Sequence, residues 1–455
     1  MRTIAWAAVL FATISASEGA RAQQPAEEFA FRAGATATYS DNPARTATGE
    51  SATALDGLLG LSLAHQSSLL YVDGDMSVIQ RAYVEGNLPS ETIPNGNLNL
   101  LAGPPGGLFT WTVLDNFGQI SGQPFAALIA NDRQNANVLS TGPNVRIPLD
   151  SHDRLELSGR YGWDRFGTST LDDQNYTGQA ALAHDIGSGS QLALLYAYQR
   201  IDFRAVTIPV AQIQQAYGKY SLAGARSYVV LEAGADRLEQ GTGSTAQRTG
   251  HVLVLLQRRL TERLTFEAAY RHGYTDAANA FVSASRDGFT AGTDQNVQAV
   301  ALPFEESKGY AELKRSAGRL LVAFEIAASR ESYPSEPASD RRTVGSNLTV
   351  DYQLSSNFTF SLRGGYWEEK FPSSQQDGRW VDGSIGLSRK IGRSLELSLL
   401  ATRTKGNGNA LVSSFTEDRA VLQLVYSPGA ERLQRVYDTN APFRYYDRPL
   451  LPPPH

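Results

Sequence analysis

The sequence predicts an all-β protein, a transmembrane antiparallel up-and-down β-barrel of about 20 strands, within a range of about 18–22. Apolar and polar residues alternate along runs of about 10–14 residues, and short turns alternate with long polar connections. An export signal at the N-terminus is the third observation. Strands of soluble sheets average about 5–6 residues, whereas tilted strands of about 9–11 residues cross a bilayer.

The N-terminus predicts a secretory signal peptide. A weakly basic start and an apolar run at residues 4–14 precede small residues at Ala20 and Ala22, with cleavage expected near Ala22-Gln23. The apolar run is too short to span a bilayer. The predicted organisation is a signal peptide at 1–22, a short periplasmic N-terminal segment at 23–27, an outer-membrane barrel at 28–427 and a proline-rich periplasmic tail at 428–455.

Composition excludes several classes of function. The 455 residues contain 41 Lys and Arg against 46 Asp and Glu, a formal charge of -5. A protein that wraps nucleic acid carries a basic excess, so nucleic acid is not an expected partner. Cysteine is absent, which removes disulfides, thiolate metal sites and cysteine nucleophiles.

Alternation within the strands assigns side chains to the two faces of the wall. In one strand Leu155, Leu157 and Tyr161 alternate with Arg154 and Glu156. A barrel in a bilayer turns its apolar face to lipid and its polar face to the lumen. The polar residues predicted to face the lumen are Arg154, Glu156, Arg160, Glu267, Arg271, Glu325, Arg363, Glu396 and Arg419. They form either cross-strand ion pairs or a polar translocation path, and the sequence leaves both interpretations open.

Aromatic residues at the ends of outward faces predict a girdle at the membrane interface. The predicted girdle residues are Tyr161, Trp163, Tyr270, Tyr274 and Tyr366.

The connections predict the strand count. Nine short turns imply ten hairpins, and hence 20 strands, if both chain ends lie on the periplasmic side. Longer polar segments, among them residues 120–134 and 277–302, are expected to lie outside the cell. The loop at 277–302 is expected to narrow the exit of the barrel without sealing it. A β-propeller is disfavoured because each repeat of about 37 residues holds only two long strands.

No constellation of residues predicts bond chemistry. The six histidines are scattered without metal-ligand spacing, and no GxSxG nucleophile motif occurs. The adjacent acids Glu368 and Glu369 lie on a predicted strand, so they point to opposite faces and form no acid/base pair. We therefore predict that the protein is not an enzyme and has no metal or cofactor.

One region resembles a known family. Between Phe109 and Ile147 the chain contains FTWTV, DNFGQ, NDRQNAN and STGP. This layout resembles a signature of outer-membrane β-barrels associated with exopolysaccharide loci and the PEP-CTERM/exosortase system of Gram-negative bacteria. The matching positions are Trp111, Asp115, Phe117, Gly118, Gln119, Asn131, Asp132, Arg133, Gly142 and Pro143. The resemblance implies an outer-membrane location and a role beside polysaccharide synthesis and export. Gly142 and Pro143 lie inside a predicted strand, where we expect a bulge or local kink.

Three functional hypotheses follow. The first is a pore or export component for an extracellular polysaccharide, in contact with outer-membrane lipid and export machinery. The second is a general diffusion porin for small solutes. The third is a plugged structural or assembly barrel that conducts nothing.

Overall fold

The computed structural model describes residues 26–85, 88–121, 133–167, 172–205, 207–241, 245–286, 302–372, 376–408 and 414–428. The predicted signal peptide and residues 429–455 of the predicted tail lie outside these ranges. The strands are β1 (Ala26–Ser40), β2 (Ala52–Gln66), β3 (Leu70–Glu85), β4 (Glu91–Ala102), β5 (Phe109–Ser121), β6 (Arg133–Pro148), β7 (Asp153–Phe166), β8 (Asp173–Gly187), β9 (Ser190–Phe203), β10 (Ala211–Ala223), β11 (Ser227–Gln240), β12 (Gln247–Thr261), β13 (Leu264–Thr275), β14 (Phe304–Ala317), β15 (Leu320–Ser332), β16 (Arg341–Ser355), β17 (Phe358–Phe371), β18 (Gln376–Ile391), β19 (Leu395–Gly408) and β20 (Phe415–Tyr426). A helix, α1 (Ala277–Arg286), lies between β13 and β14, and a short 3₁₀ turn (Pro337–Ser339) lies between β15 and β16.

The strands form one closed antiparallel barrel. Each strand pairs with its neighbours in chain order, and β1 pairs with β20 from Ala33 opposite Tyr426 to Ser40 opposite Arg419. The predicted all-β barrel of 20 strands is confirmed. Both ends of the strand series lie at the edge that carries the short turns, which we call the turn rim. The opposite edge is the loop rim.

The two faces of the wall differ in polarity. Outward side chains such as Leu194, Ile326 and Leu399 are 69%, 50% and 56% exposed. The inner face is identified by α1, which packs against Ile120 and Phe166. Among the described residues, no helix is long and apolar enough to cross a bilayer.

The aromatic girdle differs from the prediction at one position. Tyr161 and Tyr270 are exposed on the outer face, as predicted, but Tyr274 is only 7% exposed and packs against Ile213 and Leu238. The pairing of β12 with β13 ends at His272, whereas β13 and β14 remain paired up to Thr275. The end of β13 therefore leaves β12 and turns inward. The backbone N–H of Tyr274 donates to the Asp236 carboxylate of β11 at 3.0 Å.

The pairing of β6 with β7 is interrupted at Gly142 and Pro143, but without a bulge. The register is the same on both sides of these two residues, which make no ladder pair with β7. Both remain paired with β5, where they lie opposite Thr112 and Trp111. Arg160 donates to the Pro143 carbonyl at 2.9 Å and to the Gly159 carbonyl at 2.7 Å. A Cβ at position 142 would lie 2.1 Å from the Gly159 oxygen, so the close approach of the two backbones requires glycine there.

Adjacent residues of β15 provide a test of the two faces. Phe324 is 47% exposed on the outer face, and Glu325 lies on the inner face opposite Glu312. We expect Phe324→Arg to lower the free energy of unfolding in lipid vesicles by about 2–4 kcal/mol, because it places a charge in hydrocarbon. Glu325→Arg is the matched control and should cost much less, since it creates an opposite-charge pair in the lumen. Equal losses in a urea refolding titration would contradict the assignment of faces.

Candidate functional site: the inner wall and its constriction

The nine polar residues predicted to face the lumen all lie on the inner face by strand register. They are distributed over six strands, so they line a surface and do not converge on one centre. Arg154, Glu156 and Arg160 are on β7, Glu267 and Arg271 on β13, and Glu325, Arg363, Glu396 and Arg419 on β15, β17, β19 and β20 respectively.

Two of the arginines form cross-strand ion pairs. Arg154, close to the turn rim, donates to both Asp185 oxygens on β8 at 2.7 Å and, along its own strand, to Glu156 at 2.6 Å. Arg271 pairs with Glu306 on the neighbouring strand. Mutually satisfied ion pairs of this kind hold the wall together and add little net charge to the lumen.

Three glutamates form a row across the inner wall. Glu267, Glu312 and Glu325 lie directly opposite one another on three adjacent strands. The Tyr310 hydroxyl donates to Glu267 at 2.5 Å. Like charges on facing strands repel, so this row needs water, hydrogen-bond donors or cationic groups around it. The row depends on the register of two ladders, and for that reason the sequence did not reveal the role of Glu312.

Two inner-wall arginines have no acidic partner within the described part of the chain. Arg363 faces Thr349 and Ser384 on the strands beside it. Arg419 borders a cavity of about 270 Å³ near the loop rim, together with Thr38. Glu396 accepts a hydrogen bond from Ser398 at 3.4 Å.

The helix α1 narrows the lumen. A helix of ten residues is about 15 Å long. Ala277, Ala278 and Phe281 pack on the inner faces of β5, β6 and β7. Ala280 packs against this cluster and also contacts Phe304 and Tyr333, at the ends of β14 and β15. The helix thus bridges distant parts of the wall.

This placement corrects the expectation for residues 277–302. We expected an outer loop over the exit, but its first ten residues fold inside the barrel. Residues 287–301 lie outside the described residues. The inward turn of Gly273, Tyr274 and Thr275 starts the helix at the inner face, where Phe281 is 2% exposed.

Asp276 caps the helix and fixes it to the wall. Its carboxylate accepts the backbone N–H of Asn279 at 2.7 Å, and its carbonyl accepts the N–H of Ala280 at 2.9 Å. This is the arrangement that makes aspartate a favourable N-cap. The side chain of Gln199 on β9 donates to the same carboxylate at 2.7 Å.

Burial shifts the pKa values of Asp276 and Tyr333, which lie beside α1. Loss of water raises the pKa of Asp276, and the hydrogen bonds from Asn279 and Gln199 only partly oppose this. Asp164 and Asp173 lie opposite each other on β7 and β8 and repel Asp276. Burial also raises the pKa of the Tyr333 hydroxyl, which donates to Glu331 at 2.8 Å.

A buried ionic network supports the wall beneath Tyr333. Arg341 is 6% exposed and donates to Glu331 at 2.5 Å and to Glu369 at 3.1 Å. Both acids are also buried. Removal of one member of such a network leaves an uncompensated buried charge, so these residues hold the far side of the constriction in place.

The family-motif positions divide between the two faces of β5 and β6. Four of these positions alternate with inner-face residues of β5 and lie on the outer face, namely Trp111, Asp115, Phe117 and Gln119. Gly118 lies on the inner face beneath Phe281, where a Cβ would be 3.4 Å from the ring. Arg133 reaches Glu91 at 3.3 Å. Asn131 and Asp132 lie outside the described residues.

Within the part of the chain that the structure describes, no group of three or more His, Cys, Asp or Glu residues is arranged to hold a metal ion.

Comparisons with known proteins concern the architecture. No family model matches the chain, and no curated protein matches it. Similar solved structures include the copper transporter OprC, with 14% identity, 88% of this chain and 80% of that chain covered, and a TM-score of 0.43. The FrpB iron transporter from Neisseria meningitidis shows 7% identity over 88% and 81% of the two chains, with a TM-score of 0.46. OpdK from Pseudomonas aeruginosa, solved with vanillate, shows 10% identity over 88% and 98%, with a TM-score of 0.38.

Truncation of Phe281 should loosen the constriction. Phe281→Ala removes the ring that holds α1 against the wall, at a cost of about 3–5 kcal/mol to helix docking. A single cysteine at Ala278, which is 6% exposed, reports the docking because the native chain has no cysteine. We expect maleimide labelling of this cysteine to accelerate at least about tenfold in the Phe281→Ala background. Phe324→Ala on the outer wall is the control, and equal acceleration there would contradict the docking role.

The docking of α1 should strengthen on acidification. The pKa of Asp276 is raised when α1 is docked, so the buried carboxylate anion opposes docking at neutral pH. This penalty disappears as the pH falls through the raised pKa towards the ordinary aspartate value near 3.9. Hydrogen-exchange protection factors of the α1 amides, corrected for intrinsic rates, should rise over that interval. Asp276→Asn keeps a good N-cap and should flatten the rise.

Asp150→Asn is the matched control for this measurement. Asp150 lies in an exposed turn, where backbone N–H groups of His152 and Asp153 lower its pKa. Asp150→Asn should leave the increase in α1 protection on acidification unchanged. If Asp276→Asn shows the same increase, the groups responsible are Asp164 and Asp173 instead.

Proposed function

We propose that this protein is an outer-membrane pore that conducts hydrated, hydroxyl-rich solutes, and that an extracellular polysaccharide is its cargo. One observation carries the proposal. Asn95, Asn97 and Asn99 form a row on the inner face of β4, and the first two are exposed to the lumen. Asn95 lies opposite Ser77 of β3, and Asn97 lies opposite Asp75.

An amide-lined wall suits a sugar polymer. Each asparagine offers two N–H donors and one carbonyl acceptor, which match sugar hydroxyls that both donate and accept. Because water competes at an exposed wall, each contact is weak and net gains per hydrogen bond are small. A chain of sugars can therefore exchange contacts from one amide to the next without becoming trapped.

The closed wall with its apolar outer face and the predicted export signal support an outer-membrane location. A closed barrel leaves no unpaired strand edge in hydrocarbon, and the outer face carries exposed Leu, Ile, Phe and Tyr side chains. The family resemblance between Phe109 and Ile147 supports a Gram-negative outer membrane and a link to polysaccharide export. Partnership with export machinery rests on this resemblance alone.

The constriction favours a second candidate, a diffusion porin for small solutes. α1 packs on β5, β6 and β7 through Phe281 and contacts the ends of β14 and β15 through Ala280. It therefore reduces the cross-section of the lumen near the loop rim. A narrowed passage selects by size, and mixed inner charges such as Arg363 and Glu396 give no strong ion preference.

Conductance measurements separate the two candidates. The mature full-length barrel in a planar bilayer should give steps that neutral oligosaccharides of about six to ten sugars interrupt, because sugars bind along the asparagine row. Asn95→Leu with Asn97→Leu should shorten these interruptions several-fold and leave the open conductance nearly unchanged. Ser384→Leu, on the inner face of β18, is the matched control.

Cells provide the second arm of the test. Deletion of the gene should reduce secreted polysaccharide and leave growth on small nutrients normal. Slower uptake of a small solute with intact polysaccharide secretion would overturn the export proposal in favour of the diffusion porin.

A further inference from the structure

A polar patch interrupts the outer face of the barrel, where lipid contact is expected. The patch consists of Asp115 and Gln119 on β5 with Asn135 and Asn137 on β6. Asn137 donates to Asp115 at 2.7 Å, and Gln119 donates to Asn135 at 3.0 Å. The outer face is shown by Trp111 on the same side of β5, which is 41% exposed.

Asp115 lies within the apolar band. It is the seventh of thirteen residues in β5, so it lies about halfway up a wall whose apolar band is about 25 Å tall. Leu98 and Leu139 lie directly beside it on the neighbouring strands. Val113 and Phe117 are its outward neighbours along β5. A carboxylate surrounded by four apolar side chains is unexpected on a surface that meets only lipid tails.

The patch also leaves hydrogen-bonding groups open. Within the described part of the chain, Asp115 uses one carboxylate oxygen, and Asn137 uses one N–H. The exposed Asn135 accepts from Gln119, and its own N–H groups have no acceptor there. Lipid tails cannot satisfy these groups, so the patch has both free acceptors and free donors towards the membrane.

We propose that this patch is the contact between two copies of the chain in the membrane. A twofold axis along the membrane normal brings the same depth of both walls together. Asp115 of each copy then meets the amide N–H groups of the partner copy, so every open acceptor faces an open donor. Phe109 and Trp111, 52% and 41% exposed below the patch, add apolar area to the same contact.

A second copy fits these groups better than another occupant. The patch contains one carboxylate and three amides, so its donors and acceptors complement themselves, which is the property of an interface between identical surfaces. A basic partner would neutralise Asp115 but would leave the N–H groups of Asn135 without acceptors. This inference does not depend on what the lumen conducts.

Cysteine cross-linking in native outer membranes tests the contact. Leu139→Cys introduces the single thiol of the chain beside Asp115. Leu399→Cys places a thiol on β19, seven strands away around the barrel, where the wall is apolar and exposed. Under a mild oxidant, Leu139→Cys should give a cross-linked product of twice the chain mass, at least about tenfold more than Leu399→Cys. Equal yields, no product, or a product with a different protein would overturn the proposal.

Substitutions in the patch identify the groups responsible. Asp115→Leu suits a lipid-facing wall, so folding, read from heat-modifiable migration on gels, should persist while the Leu139→Cys product falls at least about fivefold. Asp115→Asn keeps an acceptor and should retain most of the product. Undiminished cross-linking in Asp115→Leu would exclude Asp115 as the contact.

Discussion

Hydrogen bonding of the backbone in hydrocarbon is the constraint on which the rest of the structure depends. Unpaired N–H and C=O groups cannot be satisfied by lipid, so the pairing of β1 with β20 is required for insertion. Closure fixes an inside and an outside, and the period of two then assigns every second side chain to each. Arg160 shows how strictly this constraint acts. Where Pro143 and Gly142 interrupt the ladder between β6 and β7, the guanidinium donates to the carbonyls of Pro143 and Gly159.

Departure from the ladder is what places a helix in the lumen. β13 stops pairing with β12 at His272 but keeps its partner β14, and Asp236 compensates by accepting the N–H of Tyr274. The chain therefore enters the lumen with its backbone bonds satisfied. Asp276 then caps α1 at once, which lets a short helix form although helices of ten residues are marginal in isolation. Packing of Phe281 and Ala277 on the wall supplies the remaining stability.

The sequence predicted the features that depend on local period and missed those that depend on register. Alternation of the kind seen around Leu157 and Glu156 was enough to predict the strands and their two faces, and the spacing of the short turns was enough to predict the count of 20. The glutamate row depends on which residues of β13, β14 and β15 lie opposite one another, which no single strand encodes. Tyr274 was wrongly predicted as a girdle residue because alternation alone cannot show where a strand leaves its neighbour. The helix was missed because its apolar residues, from Ala277 to Ala284, span only about two turns at the start of a long polar connection.

The strand β5 is constrained by contacts on both sides of the wall. On β5, Gly118 and Ile120 face inward, where α1 requires a small residue and an apolar one. Gln119, which lies between these two residues, and Asp115, which lies closer to the turn rim, face the membrane. A strand that meets lipid on one side and water on the other needs only broad polarity at each position. β5 instead seats a helix on one face and holds hydrogen-bonded polar groups on the other, so consecutive residues are each constrained by a different contact.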